Sequence, residues 1–390
     1  MNASMTIGAM AVALAITPAV GVAPAVAAPV TITVAPTGLA TVNAVSRTGR
    51  YIVGSQAPYG RPQLRDLATG TRVAMLPKKA GRPSLSDNGR YVAYTLPVGQ
   101  WGRQKVRVFD RRKGKTSNVT RRSNGTLLKP SWRNRCTLAL CEEDQKLRYS
   151  PQLIGGQISG NGRYVVFSAN FRKPGKIDVY LKNLRTGRLT VFKGAGRVHL
   201  AEGDTEQLQA PSVSEDARTI LIPGRLESYE SGNTWQPGRA VFDRRRVVNI
   251  GGVGNTMTRD GRTITINGTY SGSDEGTPEG VAWYDVATGT SVPADPPTMR
   301  LNLGTSSRDG RYVVWKASMA DPLQIRDRTA AVSYDLQGAL TAAGYLVNAS
   351  AGAPGSFVWG YPDSAAAISG DGQVAFVDTS AGIVAIRWTP

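Results

Sequence analysis

Seven times along the chain a Ser- or Thr-led turn runs straight into a short apolar strand. The copies are SRTGRYIVG from Ser46, SDNGRYVAY from Ser86, SGNGRYVVF from Ser159, SEDARTILI from Ser214, TRDGRTITI from Thr258, SRDGRYVVW from Ser307 and SGDGQVAFV from Ser369. Asn-Gly and Asp-Gly favour tight hairpin turns, because Gly and Asn tolerate the positive φ such turns need. A second turn recurs downstream as Ala68-Thr69-Gly70, Arg112-Lys113-Gly114, Arg185-Thr186-Gly187 and Ala287-Thr288-Gly289. Two hairpins in register at a period of roughly 40 to 50 residues mark a ring of four-stranded blades. The expectation is therefore an all-β, seven-bladed β-propeller.

Blade 3 displays the unit: strands end at Ser159, then span 164–168, 177–184 and 188–192. In the fourth copy Ala217 stands where the others carry Gly, so a different turn or a strained one is expected there. The seventh copy has only three strands before the chain ends. The alternating, β-branched VTITVAP of Val30–Pro36 has no partner of its own, and pairing it as the outer strand of the last blade would close the ring and remove two open edges.

Residues 1–28 carry no charged side chain, contain an apolar run from Ile7 to Ile16 and end in Ala25-Val26-Ala27-Ala28. This reads as a secretory signal peptide with an A-x-A cleavage site, leaving a propeller over 29–390 in a secreted or cell-envelope-associated protein. The run, broken by Pro18 and Pro24, is too short for a membrane span, and no later segment reaches that length. Cys136 and Cys141 lie in an insertion near 121–156, and export favours a local disulfide between them. Two thiols with no histidine nearby make a poor metal site.

The repeats resemble those of the TolB-type, WD40-like (PD40) propeller family, which also place a Ser-x-Asp-Gly turn before an apolar strand and close on an Asp-x-x-Thr-Gly turn. The resemblance covers about residues 40 to 390. It implies the propeller fold, and a role as binding scaffold, enzyme part or export-associated factor.

Function is expected on the long connections opposite the hairpin turns. They bring Tyr59, Trp101, Phe171, Trp235, Tyr270 and Trp359, flat apolar faces suited to sugar rings or peptide side chains. The other reading is that such aromatics fold back to seal the loops. His199, the single histidine, sits in HLAEGDTEQ with Glu202, Asp204 and Glu206, which reads as a solvated loop before a metal site. No Gly-x-Ser-x-Gly elbow accompanies it, which argues against serine hydrolysis by that route. Asp274, Glu275 and Glu279 depart from the calcium-loop spacing of an EF-hand. No motif for a cofactor, metal or specific nucleic-acid contact emerges.

The formal net charge is +19. It is concentrated: residues 101–150 hold 14 Lys and Arg against 4 Asp and Glu, a net +10. Arg103, Lys105 and Arg107 alternate along a strand; Arg111, Arg112, Lys113 and Lys115 surround the outer turn of blade 2; Arg121 and Arg122 open the insertion. Such a run is either a solvated face or a field that draws polyanions to one side. The reading is a secreted, non-catalytic binding or scaffold module for an anionic envelope polymer, a glycan or a protein partner. The alternative is a carbohydrate-active enzyme, hydrolase or lyase, using loop carboxylates such as Glu227, Glu230 and Asp274.

Overall fold

The structure is a computed structural model, and it describes residues 10–12, 31–57, 60–98, 103–131, 153–173, 176–195, 211–222, 225–229, 232–236, 239–243, 246–250, 253–269, 279–293, 306–315, 322–347 and 366–389. Two strands, β1 (Met10–Val12) and β2 (Thr31–Pro36), precede the first blade. Blade 1 is β3 (Thr41–Val45), β4 (Tyr51–Ser55), β5 (Gln63–Asp66) and β6 (Thr71–Met75). Blade 2 is β7 (Gly81–Leu85), β8 (Tyr91–Val98), β9 (Arg103–Asp110) and β10 (Lys115–Asn118). Blade 3 is β11 (Leu153–Ile158), β12 (Tyr164–Lys173), β13 (Lys176–Asn183) and β14 (Leu189–Phe192).

Blade 4 begins with β15 (Ser212–Val213) and β16 (Ile220–Ile222). A two-stranded arm, β17 (Arg225–Tyr229) and β18 (Gly232–Gln236), leaves it before β19 (Arg239–Phe242) and β20 (Arg246–Asn249) complete the sheet. Blade 5 is β21 (Val253–Met257), β22 (Thr263–Thr269), β23 (Glu279–Asp285) and β24 (Ser291–Pro293). Blade 6 has β25 (Tyr312–Trp315), β26 (Gln324–Asp327) and β27 (Val332–Asp335), with a Ser306–Val313 bridge marking its inner position. The helix α1 (Leu336–Ala342) follows, and blade 7 is β28 (Ala366–Ile368), β29 (Val374–Thr379), β30 (Gly382–Thr389) and β2.

The expected closure is present. β2 pairs antiparallel with β30 from Thr31–Thr389 to Pro36–Val384. Its alternation puts Ile32 and Val34 into the core between blades 6 and 7, with Leu336 and Leu340 of α1 and with Trp388, whose ring meets Tyr312 edge-on at 5.9 Å. The outer side of β2 is covered in turn by β1, Met10 opposite Val34 and Val12 opposite Ile32. Met10–Val12 is thereby the fifth strand of this sheet.

Each repeat turn is held by the same hydrogen bonds. The Ser or Thr oxygen accepts the backbone N–H five residues on at 2.9 to 3.0 Å in all seven copies. In six copies its hydroxyl donates to the Asp or Asn two residues on, which caps the following N–H. Ala217 keeps this geometry with φ +58, so blade 4 has the common turn in strained form.

These inner turns also join one another around the axis. The backbone N–H of Arg47 donates to Asp87, Asp87 to Gly160, Glu215 to Arg259, Arg259 to Arg308, Arg308 to Gly370, and Asp371 back to Arg47. Between blades 3 and 4 the Asn161 side-chain amide donates to Glu215 O at 2.7 Å. The result is a closed belt of seven links.

Candidate functional site: a basic rim on blades 2 and 3

The outer turns tie back to the inner ones through arginine. The Arg after the turn glycine pairs with the Asp that ends the third strand: Arg50 with Asp66 at 2.9 Å, Arg90 with Asp110 at 2.9 Å and Arg311 with Asp327 at 2.7 Å. Each guanidinium lies over the neighbouring tyrosine ring, 4.6 to 5.1 Å from its centroid. The hydrogen bond from Arg50 holds the Asp66 carboxyl below the usual carboxylate range, and that from Arg90 does the same for Asp110. Burial alone would raise Asp327; its bonds from Arg311 and from the backbone N–H groups of Ala330 and Thr329 reverse that and lower it.

This framework separates structural cations from free ones. Arg111, expected among the polyanion contacts, is used internally: its Nε donates to Gly89 O at 3.0 Å and its guanidinium lies 4.3 Å from the Tyr51 ring of blade 1. Arg328 makes the equivalent tie between blades 6 and 5, 3.9 Å over Trp283. Lys105 and Arg107 face the same way, opposite Leu96 and Tyr94 in register, on the side of blade 2 that packs toward blade 1. Both are half-buried. Arg103 continues their strand at the Val98 pairing.

Arg112, Lys113 and Lys115 are exposed on the outer turn of blade 2. Arg121 and Arg122 are exposed on a small hairpin closed by the Arg121–Leu127 bridge. That hairpin lies against the outer turn of blade 3. Lys182 fixes the join, since its ammonium donates both to Arg121 O and to Gly187 O, the latter at 2.7 Å. Burial pushes the Lys182 amine below its ordinary value. The join brings in Arg185 and Arg188, exposed cations that the sequence reading passed over. Among the described residues none of these seven cations, Arg112, Lys113, Lys115, Arg121, Arg122, Arg185 and Arg188, makes an ion pair with a carboxylate.

The aromatic loop site has a different outcome. Phe171 was expected on a loop, but β12 runs on to Lys173 and turns at once into β13. Its ring is 8% exposed and packs 6.5 Å from Tyr180, beside Phe167 and Leu128, as core between blades 2 and 3. Trp235 lies on the β17–β18 arm opposite Leu226, and Glu227 is on the same arm opposite Thr234. Tyr59, Trp101, Tyr270, Trp359, His199, Glu230, Asp274, Cys136 and Cys141 lie outside the described residues.

The blade order, the inner and outer turns and the closing strand define a seven-bladed β-propeller. The chain is similar to a solved oligogalacturonate lyase in complex with manganese, with a TM-score of 0.53, 14% identity, and 94% of each chain covered. It also matches TolB from Acinetobacter baumannii over 88% of this chain and 81% of that one, at 15% identity and a TM-score of 0.38. No family model and no curated protein sequence matches.

Proposed function

We propose that the protein is a non-catalytic propeller module, acting outside the cytoplasm, that binds anionic polymers along the rim of blades 2 and 3. The observation that carries the reading is the set of seven exposed cations gathered by the Lys182 join, none of them ion-paired with a carboxylate among the described residues. Arginine dominates the set, and its fork suits phosphate, sulfate and carboxylate groups. An uncharged, apolar stretch over residues 1–28 supports export, and the TolB-type character of the repeats supports a scaffold role.

Polymer binding of this kind releases condensed counterions, so affinity for heparin or teichoic acid should fall log-linearly with salt. Replacing Arg112, Lys113, Lys115, Arg185 and Arg188 with Ala should make the slope shallower by about four units for a linear polyanion. Equal slopes for this variant and the wild type, or no binding at low salt, would refute the reading. Release of shortened products from a polyuronate incubated with wild-type protein would favour the enzyme alternative instead.

A further inference from the structure

Asparagine followed by glycine carries a reaction of its own. The glycine backbone nitrogen, once its proton has passed to hydroxide, attacks the asparagine Cγ; the new C–N bond closes a five-membered imide, the Cγ–Nδ2 bond breaks, and Nδ2 leaves as ammonia. Water then opens the imide to an aspartyl or isoaspartyl residue, so a neutral amide becomes a carboxylate. Glycine favours the closure because no side chain obstructs it. The chain contains four such pairs, Asn88-Gly89, Asn124-Gly125, Asn161-Gly162 and Asn267-Gly268.

The fold treats them differently. Asn267 is held within β22, opposite Val253 on one side and Val281 on the other, so its backbone is fixed by two neighbouring strands. Asn88 and Asn161 belong to inner turns. Their glycine nitrogens donate to Ser86 O at 2.8 Å and Ser159 O at 2.9 Å. Each of these glycines is pressed against a tyrosine of the preceding blade, where an added Cβ would stand 2.2 Å from Tyr51 or 2.5 Å from Tyr91. Belt bonds through Asp87 and Gly160 tie the flanking backbone to neighbouring blades, and Asn161 Nδ2, the leaving group, donates to Glu215 O at 2.7 Å. Imide closure at either turn requires the ring to loosen.

Asn124 is free of these restraints. It sits on the hairpin closed by the Arg121–Leu127 bridge, where residues 121–126 are all exposed and nothing lies within 4 Å of a Cβ built on Gly125. The Gly125 N–H donates to Arg122 O at 3.0 Å, a bond internal to the hairpin, so freeing this nitrogen moves no blade. The carbon under attack is already polarised. Asn124 Oδ1 accepts from the Thr126 N–H at 3.1 Å and from the Thr126 hydroxyl at 2.6 Å, and both bonds strengthen as that oxygen takes up negative charge. The Arg121 guanidinium, 2.7 Å from Gly125 O, favours the anionic form of the attacking nitrogen.

We propose that Asn124 is a modification site, deamidated without an enzyme through the imide, which places a carboxylate in the middle of the basic rim. Water is the only co-reactant. The consequence for binding rests on the polymer reading above: the new carboxylate competes for Arg121 and Arg122, so the rim loses polyanion affinity as the protein ages.

The test is to incubate the full chain in mildly alkaline buffer and follow each asparagine by peptide mass mapping. Position 124 should convert more than about tenfold faster than 88 or 161, because a surface hairpin opens far more often than a packed turn. In urea that gap should close, since all three asparagines precede glycine. Asn124→Gln should abolish the conversion at that position. Equal rates in the folded chain, or a gap of the same size in urea, would overturn the proposal. Heparin affinity then reads the consequence: Asn124→Asp should bind about threefold more weakly than Asn124→Gln, and equal affinities would overturn the loss of affinity with age. A wild-type chain that ignores heparin would remove that consequence together with the polymer reading, while the modification site would still stand or fall on the conversion rates.

Discussion

In blades 1, 2, 3 and 5 the inner and outer turns both carry a left-handed glycine, but the two meet opposite surroundings. At the inner turns the glycine abuts the preceding blade: a Cβ on Gly89 would stand 2.2 Å from the Tyr51 ring, on Gly162 2.5 Å from Tyr91, and on Gly372 2.2 Å from Tyr312. At the outer turns Gly70 and Gly114 have nothing within 4 Å of that position, and Gly187 and Gly289 only ordinary contacts. One motif therefore closes the ring on the inside and leaves a permissive surface on the outside. Charge follows the same division. Arg50, Arg90, Arg259, Arg308 and Arg311 at the inner turns are ion-paired, while Arg112, Lys113, Arg185 and Arg188 at the outer turns of blades 2 and 3 face solvent.

Gly89→Ala tests the contrast hardest. It combines a positive φ of 66° with a clash against a packed ring, so a loss of more than about 3 kcal/mol or failure to fold is expected in denaturant titrations. Next comes Arg311→Ala, which cuts the link between an inner turn and an outer one. It strands the Asp327 carboxylate, 2% exposed, and should cost roughly 3 kcal/mol. The same clamps set the acid response. The folded-state values of Asp66, Asp110 and Asp327 are lowered, so their stabilisation is present above the ordinary carboxylate value near pH 4 and is lost as pH falls through the lower folded values. A melting temperature that declines below about pH 4, with a shallower decline in Asp327→Asn, checks the sign.

Gly70→Ala isolates the backbone cost alone, about 1 kcal/mol, since nothing opposes the added methyl. A loss as large as that of Gly89→Ala would erase the distinction between the two turns. The smallest effect belongs to Ala217→Gly. Relief of the strained φ gains about 0.5–1 kcal/mol, and removal of a buried methyl packed with Tyr164 loses about as much, leaving a net change within about 0.5 kcal/mol.

Blade number, both turns and the closing strand were legible in the sequence because hairpin chemistry is local and repeats. Loop boundaries were less so. β8 and β12 extend well beyond the repeat core, to Val98 and Lys173, and no turn signal at Ser168 warned that Phe171 would become core. The use of Met10–Val12 as an edge strand was hidden by its apolar context. The division of the basic run was also invisible: Arg111 and Arg112 are adjacent in sequence, and only the Tyr51 ring of another blade distinguishes them. Arg185 and Arg188 join the rim through a lysine 61 positions from its partner carbonyl, and Asp87, Glu215, Arg259 and Arg308 meet in one ion-pair cluster from four different blades. Such convergence has no local signature beyond the variable second position of each repeat.

Because β2 joins a blade otherwise made from residues 366–389, order of synthesis becomes part of the folding problem. Thr37 donates to Ile383 across 346 positions, and bringing such distant segments together costs about 5 kcal/mol in loop entropy for a flexible chain. Six blades can assemble from neighbouring segments as they emerge, but the seventh waits for the final strand to be released. Until then Thr31–Pro36 lacks its β30 partner and presents an open edge on that side, so a chain stalled before β30 is the species most exposed to strand exchange with a second copy.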